Sequence, residues 1–266
     1  MENPEEAMRL EIKTDPDEVR QQALFCGLKP GLRVLDAGCG PGKTTFLLNE
    51  MIQPGGKILG VDYSKERIEY ARTNYGSTPD IEFRLHDLRD PLKGENLFDL
   101  IWVRFVLEYN RVERPEIIKN LTDCLKPGGV LCLMDLDHNA LNHYGLPEKM
   151  ETIFFEIMRV GQKKYNFDPY AGRKLYAGLH DLGYEDIKVD VTPHHLIYGE
   201  VKKEDLFNWC KKVEVAVELA EAVMECYPGG SAAFTNDFIH FFTDPRRFTY
   251  TPLIICIGKK PINASI

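Results

Sequence analysis

Short apolar runs of strand length recur through the first half of the chain: Leu32–Asp36, Lys57–Asp62, Ile81–His86, Phe98–Val103 and Gly129–Leu136. Between them Thr44–Ile52, Lys65 to about Tyr75 and Pro115–Leu125 space their apolar residues at helical intervals. Ser64 stands directly before the second of these helices, where a hydroxyl caps exposed backbone N–H groups. Upstream, Asp17–Leu28 carries the same spacing through Val19, Ala23 and Leu24. Strand-length runs alternating with helices predict a mostly parallel α/β sheet covered on both faces.

Past residue 137 the rhythm changes. Helical patterns run over Glu148–Lys164 and Ala171–Leu182, and Ile187–Val191 alternates as a strand does. Asp205–Cys226 is helical, with Leu206, Val213, Val217, Ala220 and Met224 on one side. Gly229-Gly230 breaks it, Ala233–Phe242 resumes as a short helix, and Thr251–Ile257 is a last strand. The chain is expected to divide into an N-terminal arm and lid helix (1–28), a core (29–137), and helical cap segments with the final strands (138–266). Seven strands in all follow from this count.

A length of 266 residues gives ample core. Thirty-three Lys and Arg against 41 Asp and Glu leave a net charge of −8, which excludes nonspecific nucleic-acid binding through a cationic surface. The longest apolar runs, Val130–Met134 and Leu253–Ile257, fall far short of the roughly twenty residues a membrane-spanning helix needs. The acidic N-terminus lacks the basic-then-apolar layout of a secretory signal. Seven cysteines, an odd number with no CxxC, read as reduced thiols of a cytoplasmic protein. The sequons at Asn120 and Asn263 therefore carry no weight.

Val34-Leu-Asp-Ala-Gly-Cys-Gly-Pro-Gly42 is the most informative segment. A buried strand ends at Asp36, and Gly38, Gly40 and Gly42 permit tight turns and close approach of a ligand to bare backbone. Ligands of such sheets lie beyond the carboxyl ends of the strands, near the switch point of strand order. The spacing is G-x-G-x-G; Lys43 occupies the place where a dinucleotide fingerprint requires its third glycine. Asp62 ends the second strand, placed to accept both hydroxyls of a ribose, and Asp87 ends the third, where a carboxylate accepts from an exocyclic amine. Phe98-Asp-Leu-Ile-Trp-Val103 and Leu125-Lys-Pro-Gly-Gly129 complete the ordered set.

This set resembles the class I S-adenosylmethionine-dependent methyltransferases, in the small-molecule branch with the ubiquinone/menaquinone-type enzymes. The matching segments cover about residues 30–137. The resemblance implies a Rossmann-like, mostly parallel seven-stranded sheet with helices on both faces and a helical cap. It implies S-adenosyl-L-methionine as cofactor and S-adenosyl-L-homocysteine as product. Carried over by residue, Gly38, Cys39 and Gly40 face the methionine portion and nearby ribose, Asp62 holds the ribose hydroxyls, and Tyr63 packs on adenine. Asp87 accepts the adenine amine and Leu88 supplies a backbone contact. Val103 and Arg104 lie beside the methionine amino and carboxylate groups, with Glu108 as the alternative partner of Arg104. Asp36 is expected to anchor the loop and Asp99 to pin its strand.

Methyl transfer from a sulfonium requires positioning more than covalent help, so the absence of a catalytic dyad leaves the assignment standing. Tyr109 and His138, after the fourth and fifth strands, are the candidate bases, with His143 nearby. His194-His195 on a strand are expected to point to opposite faces, a poor geometry for a shared metal, and no metal site is expected. Residues 137–250 hold 18 of the chain's 28 aromatics, most expected to fill a cap core and a few to line an apolar acceptor pocket. The expected partner is thus a small-molecule acceptor, with no nucleic acid and no membrane. The rival readings are a nicotinamide dehydrogenase, opposed by Lys43 and the two strand-end acids, a noncatalytic cofactor-binding module, and a protein methyltransferase.

Overall fold

Five strands form a parallel sheet in the order expected of a doubly wound chain. They are β1 (Arg33–Ala37), β2 (Lys57–Asp62), β3 (Ile81–Leu85), β4 (Phe98–Arg104) and β5 (Leu125–Leu136). The computed structural model describes residues 10–262 except 12, 95 and 96; residues 1–9 of the expected arm and Asn263 lie outside the described residues. The strand order is β3-β2-β1-β4-β5, then β8 (Phe248–Lys259) antiparallel to β5, with β7 (Glu185–Tyr198) on the outer side of β8. β6 (His143–Tyr144) pairs with Phe248 and Thr249 at the start of β8 and makes the sheet eight-stranded, one more than expected. Two residues give no period to read, which is why the sequence did not show it.

Local chemistry starts the helices where the sequence places them. In α1 (Pro16–Phe25) the Asp15 carboxylate accepts the N–H groups of Asp17 at 2.8 Å and Glu18 at 3.2 Å, and Pro16 fits the first turn. α2 (Lys43–Ile52) follows the glycine loop directly, Ser64 Oγ caps α3 (Lys65–Tyr75), and Pro115 opens α4 (Arg114–Cys124). β1 and β2 are buried along almost their whole length, as strands covered on both faces must be. One face packs α4 and α6 (Leu175–Asp181) through Ile117, Leu121, Leu175 and Leu179. The other packs α1 and α2 through Val19, Ala23, Leu48 and Ile52.

A separate hydrophobic cluster gathers α5 (Glu148–Lys164), α7 (Lys203–Leu219), α8 (Glu221–Met224) and α9 (Gly230–Thr243) around Phe154, Trp209, Phe234, Phe238 and Phe242. The expected single helix Asp205–Cys226 is broken at Ala220, where φ −122° and ψ 37° leave the helical region. β7 runs well beyond the expected Ile187–Val191. Pro193 and the two histidines obscure its alternation, and the pairing with β8 shifts register between Pro193 and His195. Beyond the bulge, Ile197 packs into the helical cluster, so the long ends of β7 and β8 carry that cluster on the sheet. Most aromatics past residue 137 that are buried are thus core.

Phe238 touches the rings of Phe154, Trp209, Phe241 and Phe242 and is fully buried. Phe238→Ala is expected to cost about 3–5 kcal/mol of folding free energy, read as a lower urea midpoint at unchanged slope.

Candidate functional site

The glycine loop crosses the top of β1 where strand order reverses, with β2 on one side and β4 on the other. Gly38, Gly40 and Gly42 have φ of 84°, 55° and 95°, the left-handed region that side chains resist. A Cβ on Gly38 would stand 2.3 Å from Val106 Cγ2, so the loop after β4 presses directly on it. A Cβ on Gly40 would meet nothing within 4 Å, so open space lies beside that residue.

The loop's own donors are spent inside the protein. The N–H groups of Gly38 and Cys39 both donate to Val61 O, at 2.8 and 2.9 Å, and Gly42 N–H donates to Cys39 O at 3.1 Å. Gly40 N–H donates to Asp62 Oδ2 at 3.0 Å, and Pro41 has no N–H. The polar groups left to the loop are therefore carbonyl oxygens, which suit a cationic ligand rather than a phosphate. Gly42, at the mouth of α2, lies against Ala71, Phe83 and Tyr75.

Asp62 is 4% exposed and also receives the Ser64 N–H on Oδ1 at 2.9 Å, with Arg67 at 3.9 Å. A carboxylate has about four lone-pair sites, so capacity for ligand hydroxyls remains. Tyr63 beside it is 59% exposed, its ring open to a planar partner. Asp87 differs from expectation. The Arg89 guanidinium makes three contacts to its two oxygens, the Arg89 N–H adds a fourth, and this hold keeps its carboxyl below the usual range. Asp87 accepts an adenine amine only by sharing or releasing Arg89, which is itself more than half exposed. Leu88 is half-buried against the sheet's helical face.

Val103 is fully buried between Ala37 and Leu133, so only its backbone can face a ligand. Of the two partners expected for Arg104, Glu108 is not one that it meets. Its guanidinium donates to Gln22 Oε1 at 3.0 Å, lies 3.8 Å from Glu18 and stacks at 4.2 Å over Phe105, rather than pairing with Glu108. Burial pushes it down to about 10, and the carboxylates of Glu18 and Asp36 push back. Phe105 holds φ 58°, an uncommon conformation for a bulky residue, at the end of β4. Gln22 and Glu18 were missed in the sequence because their partner is some eighty residues away and no local pattern links them.

Glu108 turns the other way, into a buried polar network. Its Oε2 accepts from Asn139 Nδ2 at 3.0 Å, and Asp135 nearby accepts the Leu107 N–H at 2.9 Å. Burial raises both carboxyls, which also repel each other. Beneath them Arg114 and Lys174 both bind Asp168; burial raises that carboxyl, but the two cations outweigh it and hold it low. Tyr109 is 56% exposed against Phe167, and His138, at φ 50°, stands edge-on to Tyr170. His143 lies in the helical cluster against Trp209 and Phe241, where burial pushes it down to about 4. His194 and His195 do not point apart as expected. The bulge after Pro193 brings their ring centroids to 4.5 Å.

Two expected supports are present. Thr45 Oγ1 donates to Asp36 Oδ2 at 2.6 Å, tying α2 to β1, and Asp99 accepts the Arg33 N–H and the Lys126 ammonium. Burial pushes the Cys39 thiol well up, with Asp36 and Asp62 adding to it, so the loop cysteine is no nucleophile.

A doubly wound sheet with a glycine loop at its switch point and an acid ending β2 defines a Rossmann-like cofactor-binding domain. The chain belongs to the methyltransferase-domain family, whose sequence profile matches residues 28–193, more than half its length. It is 28% identical over 160 residues to the phosphoethanolamine N-methyltransferase of Triticum aestivum, covering 60% of this chain and 30% of that protein. It is 29% identical over 130 residues to the demethylmenaquinone methyltransferase of Lactococcus lactis subsp. lactis (strain IL1403), covering 48% and 50%. The chain thus spans a third to a half of these curated relatives. In fold it resembles phosphoethanolamine N-methyltransferase 2 of Haemonchus contortus, solved with S-adenosyl-L-methionine. The TM-score is 0.57 at 15% identity, over 92% of this chain and 52% of that one.

Burial pushes the Asp36 carboxyl up to about 7, Asp62 adds to this, and the Thr45 hydroxyl opposes it. Its folded pKa thus lies above the ordinary value, so the fold favours the neutral acid. That stabilisation is full below about pH 4 and is lost as pH rises through 7. Asp36→Asn is expected to remove this slope: from about pH 5 to 7 the wild type loses roughly 1 kcal/mol per pH unit relative to the variant. Denaturant melts across that range check it.

Proposed function

We propose that this methyltransferase domain binds S-adenosyl-L-methionine and transfers its methyl group to an O, N or C atom of a small-molecule acceptor enclosed under a helical cap. One observation carries the reading: the buried Asp62 carboxylate, fixed by the Gly40 and Ser64 amides, beside a loop with open space at Gly40. The residues fit the cofactor. Asp62 has acceptor capacity for ribose hydroxyls, Tyr63 offers an exposed ring to adenine, and the carbonyls of Gly38, Cys39 and Gly40 suit a cationic methionine end. Asp87 and Leu88 are assigned the adenine edge, Val103 its backbone, and Arg104 the methionine carboxylate once it leaves Gln22. When bound, the cofactor supplies an electrophilic methyl on a sulfonium.

The protein's share of the work is positioning. Holding the acceptor in line with that methyl is worth about 7–11 kcal/mol at best. The relatives named for phosphoethanolamine and demethylmenaquinone support a small acceptor. Tyr109 and His138 stand after the strands that face it and are the proposed bases where the acceptor carries a proton. Seven free thiols suit a reducing, cytoplasmic setting. No helix among the described residues is long and apolar enough to cross a membrane.

Titration calorimetry with S-adenosyl-L-homocysteine tests the cofactor reading. Asp62→Asn is expected to weaken binding about tenfold or more. Gly40→Ala, whose Cβ enters open space, is expected to weaken it while shifting the melting midpoint little beyond the backbone cost. Binding of NAD(H) without S-adenosyl-L-homocysteine would overturn the reading, and a radiolabelled-methyl assay on fractionated metabolites and protein extract separates small acceptors from protein.

A further inference from the structure

A groove of about 310 Å³ lies between α1 and the outer strands β7 and β8. That is the lower end of the volume range of metabolite pockets, about 300–1,000 Å³. Its floor is apolar, made by Leu253, Ile255 and Phe25. Its walls carry Glu18 and Gln22 from α1 and Asp190 and His194 from β7. The ten lining residues include two carboxylates and no lysine or arginine.

The polar groups on these walls are incompletely used. Asp190 has no hydrogen-bond or ion-pair partner among the described residues. The His194 side chain is 7% exposed and neither ring nitrogen has a hydrogen-bond partner among the described residues, although Glu18 lies 3.9 Å from Nδ1. Burial, with Lys13, His195 and Arg104 nearby, pushes this imidazole well down, so the ring is neutral and offers one donor and one acceptor. Arg104 and Lys13 both act on Glu18, and neither lines the groove. Buried polar groups left unpaired cost free energy, and a ligand that pairs them recovers it.

We propose that this groove is a second small-molecule site, for a ligand with an apolar body and an amine. Its body lies on Leu253, Ile255 and Phe25, its ammonium pairs with Asp190 and Glu18, and His194 supplies a directed hydrogen bond. The groove shares the Glu18 and Gln22 wall with Arg104 and so adjoins the proposed cofactor site.

The probes are tryptamine and indole-3-acetate, one ring system with opposite charges, titrated by calorimetry into the full chain. Long-range 1H–15N spectra of the histidine rings report the place. Tryptamine is expected to bind and shift the His194 ring signals, and indole-3-acetate not to bind. Asp190→Asn is expected to weaken tryptamine about threefold to fivefold, and Asp190→Lys to abolish it, both with S-adenosyl-L-homocysteine binding unchanged. Equal or tighter binding of indole-3-acetate, indifference to Asp190→Asn, unmoved His194 signals, or no binding of either probe would each overturn the site. S-adenosyl-L-homocysteine binding without tryptamine binding defeats this inference alone; the reverse defeats the methyl-transfer reading alone.

Discussion

The two hydrogen bonds on the Asp62 carboxylate join the fold to the site. One oxygen takes the Gly40 N–H from the loop after β1, and the other takes the Ser64 N–H at the start of α3. A single buried acid therefore sets the loop's curvature and the entry of the next helix together. Its burial is tolerable only because those donors, and Arg67 behind them, answer the charge. The loop spends its remaining N–H groups on Val61 and Cys39, so its unused hydrogen-bonding capacity is in its carbonyls. The sign of the site follows from that expenditure more than from the glycines themselves.

A second constraint acts at the far edge of the sheet. β7 and β8 are long enough to outrun β5, and their outer ends support a helical cluster that has a hydrophobic core of its own. The bulge after Pro193 decides which side chains face that cluster and which face α1. It turns Ile197 into the cluster and brings His194 against Phe105, next to the residue whose guanidinium reaches α1. The same edge thus touches both the helical cluster and the rear wall of the cofactor region.

Arg104 and Asp87 show how far motif reading carries. Both stand at the strand ends where they were expected, because strand ends are local properties of an apolar run and its terminator. Their partners were not legible. Arg104 meets Gln22 and Glu18 from a helix far earlier in the chain. Asp87 is taken by Arg89, two residues on, and only the turn geometry brings the two together. Asp36 and Asp99 were legible as anchors, since a strand acid beside a helix start or a neighbouring strand has few other partners.

The sequence by itself determined the alternation of strands and helices, the cap at Ser64, the glycine loop, and the acid at the end of β2. Each depends on backbone preference or on neighbours within a few residues. Only the tertiary structure decided which loop amides remain for a ligand, where Arg104 turns, that β7 continues past its proline, and that a groove with unpaired carboxylate and imidazole opens beside α1. Those outcomes depend on long-range pairing and on competition for hydrogen bonds, and no periodicity records either.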